Sequence, residues 1–302
     1  MIKEKLKVLL DFDGNLTAEE KQAAELADIA LDMLADILGV PVTDIEALYQ
    51  EIKNQIQQNP HLYPWEINGL PACYAYEGAY LLNTVILQHI LKSSPQFLKI
   101  VAARYPSSAL DSVTLCVNHL FHQGSFSVNP HFLPGVRDFL IDLLTSDSIE
   151  ATIFTNSETR KIANNLKRLS IGAKGTAHPY EHEIAILGDT RQYHLDRNWT
   201  QTFDHPTHGP IQVLEIDELF QVELRRPIYH AALTKLVNQG YRDIVVIADG
   251  FSLAGALPLM MGLSFILHKT SYTPAWAENY VAAHPKGRVA SNLPHIKNAL
   301  LG

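Results

Sequence analysis

Two aspartates two residues apart follow directly on a short apolar run near the start of the chain. The run is Val8-Leu9-Leu10, the carboxylates are Asp11 and Asp13, and Gly14 comes next. A strand buried on both faces is apolar throughout, so the run predicts a strand that ends before Asp11. In open parallel sheets, that end faces the ligand crevice. Because side chains alternate along an extended chain, Asp11 and Asp13 are predicted to point the same way, toward a cation or an acid/base reaction.

Two further apolar runs end in polar residues in the same manner. Residues 151–154 read Ala-Thr-Ile-Phe and are followed by Thr155 and Asn156. Residues 244–248 read Ile-Val-Val-Ile-Ala and are followed by Asp249. Both patterns are typical of buried strands, and each places a group that can bind or react at the strand's carboxyl end.

The three segments, in this order and spacing, resemble the first, second and fourth motifs of the haloacid dehalogenase (HAD) superfamily. The resemblance covers roughly residues 5–17 and 130–300. It implies an α/β fold, namely a HAD-like, doubly wound, Rossmann-like parallel sheet with an α-helical cap domain. The expected core comprises residues 1–17 and 129–302, and the expected cap comprises residues 18–128.

Helical patterns fill the expected cap. Start signals at Thr17 and Thr43, each followed by acidic residues, and end signals at Gly39 and Asn59 bound the first two helices. Further helical patterns cover about 78–91, 96–105 and 110–122. Within the core, residues 172–223 exceed the compact family pattern, and a β insertion is expected there. Its expected strands are 183–187, 193–195 and 211–216.

For the catalytic groups, the resemblance implies a phosphatase that acts through an aspartyl-phosphate. Asp11 would attack phosphorus, and Asp13 would protonate the leaving oxygen and later deprotonate water. Mg²⁺ would be held by Asp11, the carbonyl of Asp13 and Asp249. The expected partner is a small phosphorylated metabolite, because a closing cap leaves little room for a macromolecule.

For phosphate binding, the resemblance implies Thr155 together with the backbone amides near Gly14 and Asn156. The third family motif normally supplies a lysine before a helix, and here Arg226 precedes Pro227 at that place. We assign Arg226 to the lysine's role, with Arg225 as the second choice. Arginine grips phosphate with a rigid fork, whereas lysine acts as a point charge, so the exchange is not neutral.

Two further departures concern the ends of the first and fourth motifs. Asn15 stands where the family usually has threonine, and Leu253 and Ala254 stand where it usually has a second acid. These changes keep the nucleophile and the acid but reduce the support for metal and phosphate. They favour one alternative, a low-turnover protein that binds a phosphorylated ligand or partner. A second alternative is a dehalogenase, against which Asp13 argues, because dehalogenases tend to lack it.

Composition restricts the class of protein. The chain has 302 residues, of which 47% are hydrophobic and 19% charged, enough for a sizeable core. A net charge of -8 without a basic run argues against nucleic acid and anionic membranes as partners. Cys73 and Cys116 are expected to be reduced thiols. With a strand expected from Lys7 and no apolar stretch of membrane-spanning length, we expect a cytoplasmic protein.

The expected insertion is also rich in histidine, and histidine pairs at such spacing can bind zinc. No cysteine lies near, and prolines interrupt both short runs, so we favour surface histidines over a zinc site. The residues concerned are His178, His182, His194, His205 and His208.

Overall fold

Mainly apolar runs form the central strands of the main sheet, and amphipathic runs form most of the helices. The computed structural model describes residues 4–125, 127–175, 180–241 and 243–301. The strands are β1 Leu6–Leu10, β2 Pro64–Ile67, β3 Leu70–Tyr74, β4 Ile149–Phe154, β5 Ile171–Ala173, β6 His182–Leu187, β7 Phe203–His205, β8 Gly209–Ile211, β9 Val213–Glu215, β10 Gln221–Glu223, β11 Ile244–Ala248, β12 Ser264–His268 and β13 Gly287–Ala290. The helices are α1 Glu19–Leu38, α2 Val42–Gln58, α3 Ala79–Lys92, α4 Pro95–Arg104, α5 Ser112–Ser125, α6 Val136–Thr145, α7 Thr159–Leu166, α8 Pro227–Val237, α9 Ala256–Met260, α10 Ala275–Ala283 and α11 Leu293–Leu301.

The chain divides into two units, of which the first joins residues up to Ala18 with those from Phe132 onward. Its main sheet has seven parallel strands in the order β13-β12-β11-β1-β4-β6-β5. The order runs outward from β1 on one side and from β11 on the other. The topological switch point therefore lies between these two strands. This arrangement confirms the predicted doubly wound α/β fold.

Side-chain alternation along the central strands builds a hydrophobic core on each face of the sheet. Leu9 and Val246 face one core, which α8, α9 and α10 cover. Leu10 and Ile153 face the other, which α6, α7 and α11 cover. Since both faces are buried, the strands read as continuous apolar runs, and the abrupt change to polar residues marks their carboxyl ends.

The insertion differs from the expectation in three respects. The segment 183–187 is not an extra strand, because it belongs to β6 and pairs with β4 and β5 in the main sheet. The segment 193–195 is not a strand, because the chain turns there. His194 N–H donates to the Arg191 carbonyl at 2.9 Å, and Arg191 has a φ of 47°. The segment 211–216 is not one strand, because its residues are divided between β8 and β9, which belong to different sheets. The insertion proper follows β6 and carries two small antiparallel pairs, β7 with β8 and β9 with β10.

The second unit comprises Glu19–His131. Its helices α1 to α5 lie where the sequence predicts them. The expectation of an all-helical segment is wrong, because β2 and β3 form an antiparallel hairpin. Asn68 and Gly69 make its turn with φ of 52° and 73°, a conformation that both residues tolerate well. The role of this unit as a cap stays a prediction.

Interior polar groups of the second unit are paired with one another. The Tyr49 hydroxyl donates to Asn83 Oδ1 at 2.6 Å, and Asn83 Nδ2 donates to the Ala23 carbonyl at 2.8 Å. Glu77 accepts a hydrogen bond from the Tyr74 backbone at 3.0 Å. None of the helices in the described ranges is long and apolar enough to cross a bilayer.

Candidate functional site

Three neighbouring strands bring the predicted carboxylates and the predicted threonine to one edge of the main sheet. Asp11, Thr155 and Asp249 directly follow β1, β4 and β11, and β1 lies between the other two. The Asp11 N–H continues the sheet pattern by donating to the Ile247 carbonyl at 2.9 Å. The strand ends predicted from the apolar runs are thereby confirmed, and they meet at the topological switch point, where ligands bind in such sheets.

Asp11 lies among like charges. Burial raises the pKa of its carboxyl well above the ordinary value, and the charge of Asp249 raises it further, with a smaller contribution from Asp13. Hydrogen bonds from the Phe12 backbone, at 2.7 Å, and from Thr155 act in the opposite direction. Two carboxylates this close disfavour ionising together unless a cation or a proton is shared between them. This is the electrostatic pattern of a reactive site rather than of a solvated loop.

Only one of the two carboxyl oxygens of Asp13 has a hydrogen-bond partner among the described residues. Its Oδ2 accepts a hydrogen bond of 2.5 Å from the Ser157 hydroxyl. Its Oδ1 is buried and has no hydrogen-bond partner among the residues described. A buried carboxyl oxygen is costly to leave unpaired, so a hydrogen-bond donor of a bound ligand is its natural complement.

The donors predicted for a metal are all hard oxygens. They are the carboxylates of Asp11 and Asp249 and the main-chain carbonyl of Asp13, a set whose chemistry suits Mg²⁺. Across the described ranges, no three His, Cys, Asp or Glu side chains are arranged to hold a metal ion. Leu253 and Ala254, where the second acid is missing, are buried. The residues present thus fit magnesium with two side-chain ligands, and water would complete its shell.

The turn after Asp11 is closed by Asn15, one of the residues at which the sequence departs from the motif that it resembles. Asn15 is fully buried, and its Nδ2 donates to the Asp11 carbonyl at 3.0 Å. His268 Nδ1 lies 3.1 Å from both the carbonyl and the Oδ1 of Asn15. Since both partners are acceptors, Nδ1 must carry the hydrogen. Gly14 has a φ of 72°, and its N–H is 3.3 Å from Thr17 Oγ1, so this amide already has a partner in the turn.

The Thr155–Ser157 turn is interlocked with residues 189–192 of the insertion. The Asp189 and Thr190 amides donate to the carbonyls of Ser157 and Thr155, each at 3.1 Å. The Asn156 side chain accepts from the backbone of Gln192 at 2.7 Å. The side chain of Asn156 therefore supports the insertion. Phosphate binding was predicted for its main-chain amide and stays a prediction.

Arg226 is completely buried at the start of α8. Its Nε donates to the Glu223 carbonyl at 3.0 Å and its Nη1 to the Gln192 carbonyl at 2.5 Å. Arg225 instead pairs with the Glu223 carboxylate at 2.5 Å. Arg226, to which the sequence analysis assigned the lysine's role, thus lies inside the core. Arg225, the second choice, forms a structural ion pair. Both Asp11 and Arg226 act on the pKa of Tyr229, which burial and Asp11 raise and Arg226 lowers.

The histidines of the insertion are dispersed. His182 belongs to β6, His194 lies in the turn after it, and the rings of His205 and His208 are 4.9 Å apart beside β7 and β8. His178 lies outside the described residues. No zinc site is proposed from this set.

Three residues at the site were missed by the sequence reasoning. His268 ends the apolar run of β12, which is the signal that identified Asp11 and Asp249, so it could have been found. Ser157 belongs to the second motif but resembles any loop serine. Gln192 lies in the insertion, where no pattern marks it, because its position depends on a turn and on two distant partners.

Solved structures similar to this chain are HAD-type hydrolases. A protein described as a HAD-hydrolase from Bacillus subtilis, bound to magnesium, is 12% identical with a TM-score of 0.48, over 99% of this chain and 100% of its own. A HAD-superfamily hydrolase from Geobacter sulfurreducens is 14% identical with a TM-score of 0.45, over 98% and 97%. A 2-haloacid dehalogenase from Pseudomonas syringae is 14% identical with a TM-score of 0.42, over 99% and 98%.

No family model and no curated protein sequence matches this chain. The likeness to the solved structures concerns the fold, at identities too low to carry an activity across.

Proposed function

We propose that this protein is a hydrolase that cleaves a small phosphate monoester, with Asp11 as the nucleophile. The observation that supports it most strongly is the position of Asp11. This carboxylate lies at the topological switch point, hydrogen-bonded to Thr155, with Asp249 near enough to raise its pKa. Carboxylates with a structural role are normally paired with a positive charge, whereas the charged neighbours that raise the pKa of Asp11 are the carboxylates of Asp249 and Asp13.

The proposed reaction divides between the two carboxylates of the first motif. Asp11 attacks phosphorus while the leaving oxygen takes a proton from Asp13, which gives an alcohol and an aspartyl-phosphate. Asp13 then takes a proton from water as the water attacks phosphorus, which releases phosphate and restores both residues. The Ser157 hydroxyl holds Oδ2 of Asp13 and leaves Oδ1 for the proton transfer.

Three further groups would bind and neutralise the phosphoryl group. The Thr155 hydroxyl and the Asn156 amide lie in one turn, and Arg226 adds a buried positive charge. Mg²⁺, held by Asp11, the Asp13 carbonyl and Asp249, would offset the repulsion between the nucleophile and the phosphate oxygens. The substrate class and the metal both rest on the resemblance to HAD phosphatases together with this arrangement of oxygens.

The test is hydrolysis of an aryl phosphate by the full-length protein with millimolar Mg²⁺. We expect phosphate release that Asp13→Asn reduces more strongly for an alkyl phosphate, whose leaving group needs the proton. Equal losses on both substrates would remove Asp13 from the role of acid. Chloride release from a 2-chloro acid, without phosphate release, would identify a dehalogenase instead.

One alternative is supported by the structure of the fourth motif. Leu253 and Ala254 are buried, so apolar side chains occupy the two positions at which the second acid was expected. A protein with this defect could bind a phosphorylated ligand with little turnover. Tight binding of inorganic phosphate with no hydrolysis of aryl phosphate would support that alternative over the phosphatase.

A further inference from the structure

Gln192 holds a buried hydrogen-bond donor for which the described residues supply no acceptor. The residue is 1% exposed, and its Nε2 has no partner within the described parts of the chain. Its orientation follows from Asn156, whose Oδ1 accepts from the Gln192 backbone at 2.7 Å and from the Thr190 hydroxyl at 3.3 Å. Asn156 Nδ2 therefore faces Gln192 Oε1, at 3.4 Å. The other end of the Gln192 carboxamide is consequently the N–H₂ group.

The main chain of the same residue joins two groups that we assign to phosphate binding. Its N–H is bonded to the side chain of Asn156, and its carbonyl accepts from Arg226 Nη1 at 2.5 Å. Asn156 follows β4 and Arg226 precedes α8, so the two are far apart in sequence. Gln192 thus lies between the anion-binding turn and the buried guanidinium.

We propose that Gln192 is a substrate-binding residue whose Nε2 donates a hydrogen bond to an oxygen of the bound phosphate group. This inference rests on the proposed phosphatase function and adds a residue of the insertion to its site. Buried N–H groups are normally satisfied, and an anionic oxygen is the strongest acceptor that a ligand can bring to one.

The hydrogen bonds that Arg226 already makes within the protein give a reason for an additional donor at the phosphate. Two of its N–H groups are directed at the main-chain carbonyls of Glu223 and Gln192. The carboxamide of Gln192, a residue whose main chain already contacts Arg226, can supply a further hydrogen bond without placing a second positive charge in a buried site, which would be costly.

The experiment compares Gln192→Met with Gln212→Met in the same insertion. Gln192→Met keeps nearly the same length but removes the Nε2 donor together with the Oε1 acceptor of the 3.4 Å contact with Asn156. Gln212 is a matched control because its Nε2 is satisfied by the carbonyls of Trp199 and Gln201, at 2.9 and 3.0 Å. Inorganic phosphate is the probe. Its inhibition of aryl phosphate hydrolysis and its direct calorimetric binding are measured with Mg²⁺, and thermal unfolding is measured without phosphate.

We expect Gln192→Met to weaken phosphate binding about 10- to 100-fold, the range for a lost hydrogen bond to a charged group. Its melting temperature without phosphate should stay close to the wild-type value, since removal of the unsatisfied donor offsets loss of the long 3.4 Å contact with Asn156. Gln212→Met should do the opposite, with a lower melting temperature and unchanged phosphate binding. Gln192→Glu keeps the shape but turns a carboxylate toward the anion, so it should weaken binding more than Gln192→Met does.

Two results would overturn the inference while leaving the phosphatase intact. One is a fall in melting temperature for Gln192→Met with wild-type phosphate affinity, which would make the residue purely structural. The other is wild-type phosphate affinity in a folded Gln192→Glu protein. If the wild-type protein neither binds phosphate nor hydrolyses the aryl ester, both this inference and the proposed function fail.

Discussion

A charged side chain lies near each end of strand β1, and the two charges have opposite surroundings. One is paired with an opposite charge, and the other lies near like charges. Near the start, Lys7 is almost completely buried and donates to Glu150 at 2.9 Å and to Thr152 at 2.8 Å. Tyr241 completes that cluster, with its hydroxyl 2.6 Å from Glu150 and its ring 5.1 Å from the ammonium group. Beyond the other end, Asp11 has carboxylates as neighbours and a raised pKa.

The difference shows how stability and reactivity can be told apart within one strand. At the Lys7 end, the ammonium group of Lys7 is paired with the carboxylate of Glu150. At the Asp11 end, like charges accumulate and a carboxyl oxygen of Asp13 has no partner among the residues described. A folded protein keeps such an arrangement at a cost in stability when the site is needed for binding or chemistry.

The largest expected effect is that of Asp11→Asn, which should lower phosphatase activity at least about a thousandfold by removing the nucleophile. It should also raise the melting temperature in metal-free neutral buffer. The sign follows from the pKa of Asp11, which is raised by folding, so that the ionised carboxylate destabilises the folded state above the ordinary pKa. Activity assays and calorimetry test both parts.

Asp142→Asn is the control, because Asp142 forms an exposed ion pair with Lys297 away from the site. This variant should keep wild-type activity and nearly wild-type stability. A lower melting temperature for Asp11→Asn would contradict the contrast between the two ends of β1.

Lys7→Met should have the reverse profile. We expect a loss of about 2 kcal/mol in unfolding free energy, because Glu150 and Thr152 lose their common partner, and nearly unchanged kcat and KM. Adding Glu150→Gln should recover part of the loss, since the uncompensated charge is then removed. Chemical denaturation of the three proteins measures this. A large fall in kcat for folded Lys7→Met would show that the two ends are coupled.

Ser157→Ala should have a smaller effect, on the reactive end alone. Without its hydroxyl, Asp13 loses the hydrogen bond that positions its carboxyl group. We expect kcat to fall about tenfold for an alkyl phosphate and less for an aryl phosphate, because only the former depends strongly on the acid. Ser146→Ala, in an exposed loop, serves as the control. A loss that is the same for both substrates would indicate a general packing defect.

The smallest expected effect concerns pH and His268. Burial lowers the pKa of this histidine, so the unfolded chain binds a proton more readily than the folded one. Its contribution to stability is therefore complete above about pH 6.5 and is lost as the pH falls below that value. His268→Asn keeps an N–H for Asn15 and should flatten this part of the pH dependence of the melting temperature. An unchanged profile would exclude His268 as a source.

Much of the first unit could be predicted because a buried parallel strand is an apolar run, and the change to polar residues marks where it ends. Asp11, Thr155 and Asp249 were found where apolar runs stop, and their meeting at one edge follows from strand order. The strand β6 was assigned to the insertion instead, because a run of six residues carries no information about its neighbours in the sheet. The hairpin at Asn68 and Gly69 was missed although its turn has a strong local signal.

Residues that act through distant contacts could not be predicted. Gln192 depends on a turn with a left-handed Arg191 and on partners from two other elements, so no local pattern identifies it. The contrast between Arg225 and Arg226 is of the same kind. Both precede α8, and only the path of the chain decides which guanidinium enters the core and which pairs with Glu223.

The main sheet ends on both sides in its shortest strands, β5 with three residues and β13 with four. An edge strand has unpaired N–H and C=O groups that can pair with another extended chain, and a longer edge strand has more of them. Short edges give a neighbouring molecule little backbone to add to. The two edges of the main sheet are therefore poorly suited to pairing with a strand from a second copy of this protein.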